Sequence, residues 1–245
     1  MVFVLLPFVG VYPATHDELM QQANQAYINE TFHEAIELYE QILEMQWESA
    51  ALYYNLGNAY YQTEQIGKAI LNYERARRLS PNDDAILHNL RVVRSRITDK
   101  MEPVPQLFFI DWRDQYVQMQ TTDGWARTIV ILIILLTVLV ALFFIMKTRM
   151  YKKITLTLCL VVGILLAASF YAANRQYYLN HVRQEAVVMS LRATAKSAPS
   201  ERAIDLFVIH EGTKVYLTSD VMDWYEVRLP NGNVGWIKKS ALEVI

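Results

Sequence analysis

The chain has 245 residues, room for two modest domains; 53% are hydrophobic and the net charge is −2. These bulk figures hide segregation, because no Lys or Arg precedes Lys68 while residues 1–67 carry nine acidic side chains. The single cysteine, Cys159, excludes an intrachain disulfide and a cysteine metal cluster.

Residues 1–14 open the chain. Residues 2–12 are almost wholly apolar, and Ala14 follows Pro13. An apolar core followed by a small residue is the pattern of a secretory signal, and the run is too short to span a bilayer. A buried N-terminal strand is the alternative.

The next segment, 15–100, repeats itself. At an offset of 34 residues, 16–49 aligns with 50–83. Asn24 falls on Asn58, Tyr27 on Tyr61, Glu30 on Glu64 and Ala35 on Ala69. Ile36 falls on Ile70, Tyr39 on Tyr73 and Glu40 on Glu74. The second copy carries Tyr53, Leu56, Gly57, Tyr60, Ala69, Tyr73, Ala76 and Pro81, and with them resembles a tetratricopeptide (TPR) repeat closely. That resemblance implies two antiparallel helices per copy. Gly57 and Ala69 are small enough for close backbone approach, Tyr60 and Tyr73 bury their rings, and Pro81 ends the second helix. In the first copy Gln22 and Ala23 replace Leu-Gly, and Trp47 replaces the proline. A third start at 84–97 keeps the register through Leu87 and Leu90, and Pro103 and Pro105 stop it. It reads as a terminal helix over the apolar edge of repeat two.

Two repeats plus one helix predict a short all-α solenoid. Its concave face is expected to carry Met20, Asn24, Tyr27, Tyr54, Asn55, Asn58, Tyr61 and His88, the candidate partner-binding residues. TPR domains that clamp a terminal carboxylate use two asparagines and three cations. Asn24 and Asn55 match the asparagines, but Met20, Ala85 and Asn89 hold the cation positions, so carboxylate capture is not expected. The alternative role for Asn24 and Asn58 is hydrogen bonding between neighbouring helices.

Residues 101–126 form a linker in which Phe108, Trp112, Tyr116 and Met119 recur at helical spacing. A short helix there would either lie on a membrane surface or pack on the terminal TPR helix. Two apolar runs follow, 127–146 and 154–173, each about long enough to cross a hydrocarbon core of roughly 30 Å. The turn between them, 147–153, has four cations and no acid. Positive loops stay cytoplasmic, which places the turn inside and both flanking regions outside. A signal peptide independently places the repeats outside.

After a second linker, 174–185, the segment 186–245 changes character. Short apolar runs at 187–189, 207–209, 215–217, 224–227 and 234–237 read as about five strands, and Asn231-Gly232 marks a hairpin. The tail resembles the bacterial SH3-like domain, most specifically in "GWIKKSAL". The resemblance implies a small all-β barrel with Trp236 buried. Ala195-Lys196 stands where Arg-Ser is common in relatives.

Little points to chemistry. His33 opens a zinc-like helix motif, but Glu37 stands where the second histidine is needed. Arg91, Arg94 and Arg96 read as a solvated helix face rather than a nucleic-acid surface. No catalytic constellation, metal site or cofactor motif is expected, and the chain is read as a non-enzyme.

The order of signal, TPR repeats, two-helix hairpin and SH3-like tail resembles the BatE-like proteins, the TPR members of the Bacteroides aerotolerance operon. Membership would imply the inner membrane of a Gram-negative bacterium, with both flanking domains periplasmic. It would also imply companion membrane proteins with von Willebrand A domains and a MoxR-type ATPase. Three functions compete: a protein-interaction scaffold in contact with membrane lipid, an envelope sensor whose tail binds peptidoglycan peptide, and a cell-wall enzyme. The scaffold is favoured, because a seven-residue inner turn offers little surface to an effector.

Overall fold

In the computed structural model, which describes residues 15–101, 108–181 and 184–245, the first helix starts on a reciprocal cap. Thr15 Oγ1 accepts from Glu18 N, and the Glu18 carboxylate accepts from Thr15 N, at the start of α1 (His16–Ile28). The signal-like segment, Pro103 and Pro105 lie outside the described residues. α2 (Phe32–Glu44) packs back on α1, and α3 (Ala50–Gln62) with α4 (Ile66–Leu79) repeats the hairpin. The turn inside each hairpin uses a left-handed residue, Glu30 at φ 61° and its counterpart Glu64 at φ 60°.

Packing explains the small residues. A Cβ on Gly57 would lie 2.8 Å from Tyr73 Cδ1, so only glycine lets that ring rest on α3. Ala23, Ala35, Ala59, Ala69 and Ala76 are fully buried between helices. α5 (Asp84–Arg94) starts on the Asp83 side chain, which accepts from Ala85 N and Ile86 N. It lies against α4 and buries Ile86, Leu90 and Val93. Leu87, which keeps the repeat register, is only half-buried. Its counterpart Tyr53 is buried, and among the described residues no later helix packs back on α5 as α4 does on α3.

α6 (Phe108–Gln118) leads into two long apolar helices, α7 (Thr122–Ile145) and α8 (Arg149–His181), packed on each other. Both are long and apolar enough to cross a membrane. The connection is shorter than 147–153, because α8 already begins at Arg149. It also runs past 173 to His181, through most of the expected linker. On α8, Thr155, Val162, Ser169 and Gln176 are buried at seven-residue intervals, a seam of the kind that supports helix pairing. α6 folds onto the base of this hairpin, where Trp125 Nε1 donates to Val117 O at 3.0 Å and Ala172 is buried beside them. The linker stripe therefore divides. Tyr116 packs on Trp125, with ring centroids 5.1 Å apart, while Trp112 and Met119 are exposed. Asn82 Nδ2 donates to Gln118 O and Met119 O, tying α6 to the turn before α5.

The tail forms seven strands: β1 (Glu185–Val188), β2 (Arg192–Lys196), β3 (Asp205–His210), β4 (Lys214–Val221), β5 (Trp224–Arg228), β6 (Val234–Lys238) and β7 (Leu242–Val244). They build one antiparallel sheet in the order β3-β2-β6-β5-β4-β1-β7. β3 and β7 are edges, so the sheet is open rather than a closed barrel. Asn231-Gly232 does turn β5 into β6, with Gly232 at φ 91°. β2 and β7 were not anticipated. Trp236 is a further correction, because it is half-buried rather than core. Alternation along β6 turns Gly235 and Ile237 inward and leaves Trp236 on the other side.

The sheet docks on the outer side of α4. Val187 of β1 is fully buried in the helical core. Glu211 Oε1 accepts from Gly67 N at 2.9 Å, and Arg75 donates to Glu243 and to Val244 O. Gly212, at φ 82°, sits where a Cβ would lie 2.7 Å from Ile97 Cγ2 and 2.8 Å from Ile70 Cδ1. Beyond it, Asp99 accepts from His210 N, His210 Nδ1 and Thr213 Oγ1. At the centre Glu74, with 1% of its side chain exposed, meets Arg77 from its own helix, Arg94 from α5 and Lys214 from β4. Burial pushes the Glu74 carboxyl up, but Lys214, Arg77 and Arg94 outweigh it and bring it down to about 2. Lys214 also pairs with Glu185 at 2.5 Å.

Candidate protein-interaction groove

The groove follows from the repeat. Residues at equivalent positions of α1 and α3 face the same side, and the second helix of each pair sends a tyrosine under them. Tyr39 OH donates to Asn24 Oδ1 at 2.7 Å, and Asn55 Nδ2 donates to the same oxygen at 3.0 Å. One repeat later, Tyr73 OH donates to Asn58 Oδ1 at 2.7 Å, and Asn89 Nδ2 donates to it at 2.8 Å. Burial drives the Tyr39 phenol up to about 12 and raises that of Tyr73 as well, so both hydroxyls stay protonated and donate. Two side-chain triads thus link successive helices across the floor.

Two adjoining hollows of about 300 Å³ and 290 Å³ lie over these triads and share Tyr27 and Asn58. Tyr54, Tyr61, Gln62, Tyr73, Asn89 and Val92 complete the first, while Asn24, Ile28, Tyr39 and Asn55 complete the second. Arg96 lies over the Tyr61 ring, 4.7 Å from its centroid, and supplies a cation at the rim.

Of the eight residues predicted from sequence, six line these hollows: Asn24, Tyr27, Tyr54, Asn55, Asn58 and Tyr61. Met20 packs against the helical core, and His88 is exposed on α5; neither lines them. The asparagine oxygens are already engaged by tyrosines, so Asn24 and Asn58 hold the floor together by hydrogen bonds between neighbouring helices. Sequence reasoning missed Tyr39 and Tyr73 as floor residues, and Asn89 as the counterpart of Asn55. The signal was available: the same 34-residue offset that aligns Asn24 with Asn58 aligns Asn55 with Asn89. His33 and Glu37 are exposed on α2, while Ala35 and Ile36 between them are buried in the repeat core.

A second hollow region lies on the sheet. β2 and β6 share a single register pair, Lys196 with Trp236, and a cavity of about 360 Å³ opens beside it. Arg192, Trp224 and Lys238 line it.

A helical repeat region with a ring-lined groove, a pair of long apolar helices and an open sheet make up a modular chain. Residues 50–83, which span α3, α4 and Pro81, match the tetratricopeptide repeat family. No curated protein matches the chain.

Proposed function

We propose that the protein is a membrane-anchored scaffold, not an enzyme, whose TPR groove holds a segment of a partner membrane protein. The observation that carries this reading is the groove itself: half-buried Tyr27, Tyr54 and Tyr61 over a floor pinned by two hydrogen-bonded triads. Rigid aromatic side chains give contact area at low entropic cost. A preformed floor reduces what binding must order. TPR repeats suggest protein partners in general, and the match at 50–83 supports that level.

Contact between the sheet and α4 requires both units to lie on one side of any membrane that α7 and α8 cross. With the basic residues Lys147, Arg149, Lys152 and Lys153 at the far end, that side is proposed to be the periplasm. The resemblance to BatE-like proteins supplies the finer reading: an inner-membrane protein working with von Willebrand A partners and a MoxR-type ATPase in aerotolerance. The tail is proposed to be SH3-like, and a peptide-binding role for it draws on the cavity beside β2 and β6. Crosslinked co-purification from native membranes, with the partners identified, tests the assembly. Recovery of membrane proteins with von Willebrand A domains is expected. Recovery of none under conditions that retain other complexes would remove that part.

A further inference from the structure

The cavity at the junction of the helices and the sheet has a chemistry the scaffold role does not use. It measures about 200 Å³ and is lined by α4, α6, α8 and the sheet. By volume it holds roughly seven water-sized groups. Its cations are unequally occupied. Arg77 is spent on Glu74, and Lys214 is shared between Glu74 and Glu185. Arg78 donates through Nη1 to Ile245 O, which lines the same cavity. A guanidinium has five N–H donors, so most of its capacity stays open.

The opposite wall supplies the reverse demand. Gln176 ends the buried seam of α8, is only 3% exposed, and its Oε1 has no hydrogen-bond partner. A buried acceptor left without a donor is destabilising. It lines this cavity together with the Glu185 side chain. One wall thus offers guanidinium N–H groups to an anion, and the other holds a buried amide oxygen that lacks a donor.

Position adds the source. The apolar run of α8 ends at 173, three residues before Gln176, and α7 begins at Thr122, just after Gln118 of the same cavity. The cavity lies at the level where both spans end on one side, which is headgroup depth if they cross a bilayer. We propose that it binds a phosphoethanolamine group, with the phosphate on Arg78 and the ammonium on Gln176 Oε1 and Glu185. The group has about as many heavy atoms as the cavity has room for. Only the assignment to a lipid, as opposed to a free phosphoethanolamine, rests on the membrane placement proposed above.

The test uses the full chain purified in a neutral detergent. Phosphatidylethanolamine, phosphatidylcholine with the same acyl chains, free phosphoethanolamine and inorganic phosphate are titrated separately. Occupancy is read by native mass spectrometry and thermal midpoint. Phosphatidylethanolamine is expected to bind at least tenfold tighter than phosphatidylcholine, whose quaternary nitrogen has no N–H to donate. Gln176→Leu should abolish that preference, Gln176→Glu should keep it, and Arg78→Ala should weaken both lipids. Competition by free phosphoethanolamine at equal affinity would leave the site standing and assign a soluble ligand. Equal binding of the two lipids, or a preference that survives Gln176→Leu, overturns the proposal. Failure of the membrane reading is scored separately, by cysteine labelling.

Discussion

Tyr73 OH lies 2.7 Å from Asn58 Oδ1, and Tyr39 OH lies 2.7 Å from Asn24 Oδ1 one repeat earlier. The same bond is built twice because the same two residues recur at the period of the repeat. It recasts the asparagines as parts of the floor. Asn58→Ala should strip Tyr73 and Asn89 of their shared acceptor and cost about 1–3 kcal/mol. Thermal or urea unfolding followed by helical circular dichroism checks this. A variant as stable as the parent would return Asn58 to the role of a free contact residue.

Glu74 makes docking of the sheet sensitive to acid. Its carboxyl sits at about 2, against an ordinary 4.5. A depressed carboxylate contributes stability that is complete above the unfolded value and is lost as pH falls through the folded one. Between pH 4.5 and pH 2 the loss should be on the order of 3 kcal/mol, from the size of the shift. Stability measured across that window should fall more steeply in the parent than in Glu74→Gln, which has nothing to titrate at this position. Parallel profiles would show that the three cations are not what holds the carboxylate.

Alternation along β6 ranks its neighbours. Ile237 is 1% exposed within the sheet core, and Ile237→Ala should cost about 2–5 kcal/mol. Trp236 is half-buried, and Trp236→Ala should cost only about 1–2 kcal/mol, in line with partial burial. Unfolding of both variants side by side decides the order. The reverse ranking would mean that Trp236 belongs to the core after all.

Topology is open to chemical labelling. In a Cys159→Ser background, single cysteines at the exposed positions Ser95 and Ser200 should react with a membrane-impermeant thiol reagent in intact spheroplasts. One at Thr148, in the connection between α7 and α8, should react only after permeabilisation. The opposite pattern would invert the chain, and uniform labelling would remove the spans.

Legibility followed range. The second repeat could be read because its signature is local and each residue has a packing reason within about thirty positions. Gly57 against Tyr73 is such a case. The two apolar helices could be read from hydropathy, but their ends could not. Hydropathy measures transfer to lipid, whereas α8 continues as a helix through the charged residues at either end. Trp236 was misplaced because adjacent residues of a strand point oppositely, and both Trp236 and Ile237 are apolar. β2 and β7 are short and carry weak alternation. The pairing of Glu74 with Lys214 spans 140 positions, and no local pattern encodes it. The repeat alignment marked Glu74 only as the twin of Glu40, whose partner is the Tyr60 hydroxyl.

The scaffold account stands on the rings of the groove rather than on its floor. Tyr27 and Tyr61 are half-buried and line the hollows, and neither donates to the asparagine oxygens. The direct measurement is partner recovery from native membranes with Tyr27→Ala, Tyr61→Ala in the full chain, alongside circular dichroism and membrane fractionation. The account predicts at least a tenfold loss of recovered partner, about 1.4 kcal/mol, with helicity and insertion unchanged. Full recovery by a folded, inserted double variant would contradict it and move the docking site to the sheet or the apolar helices.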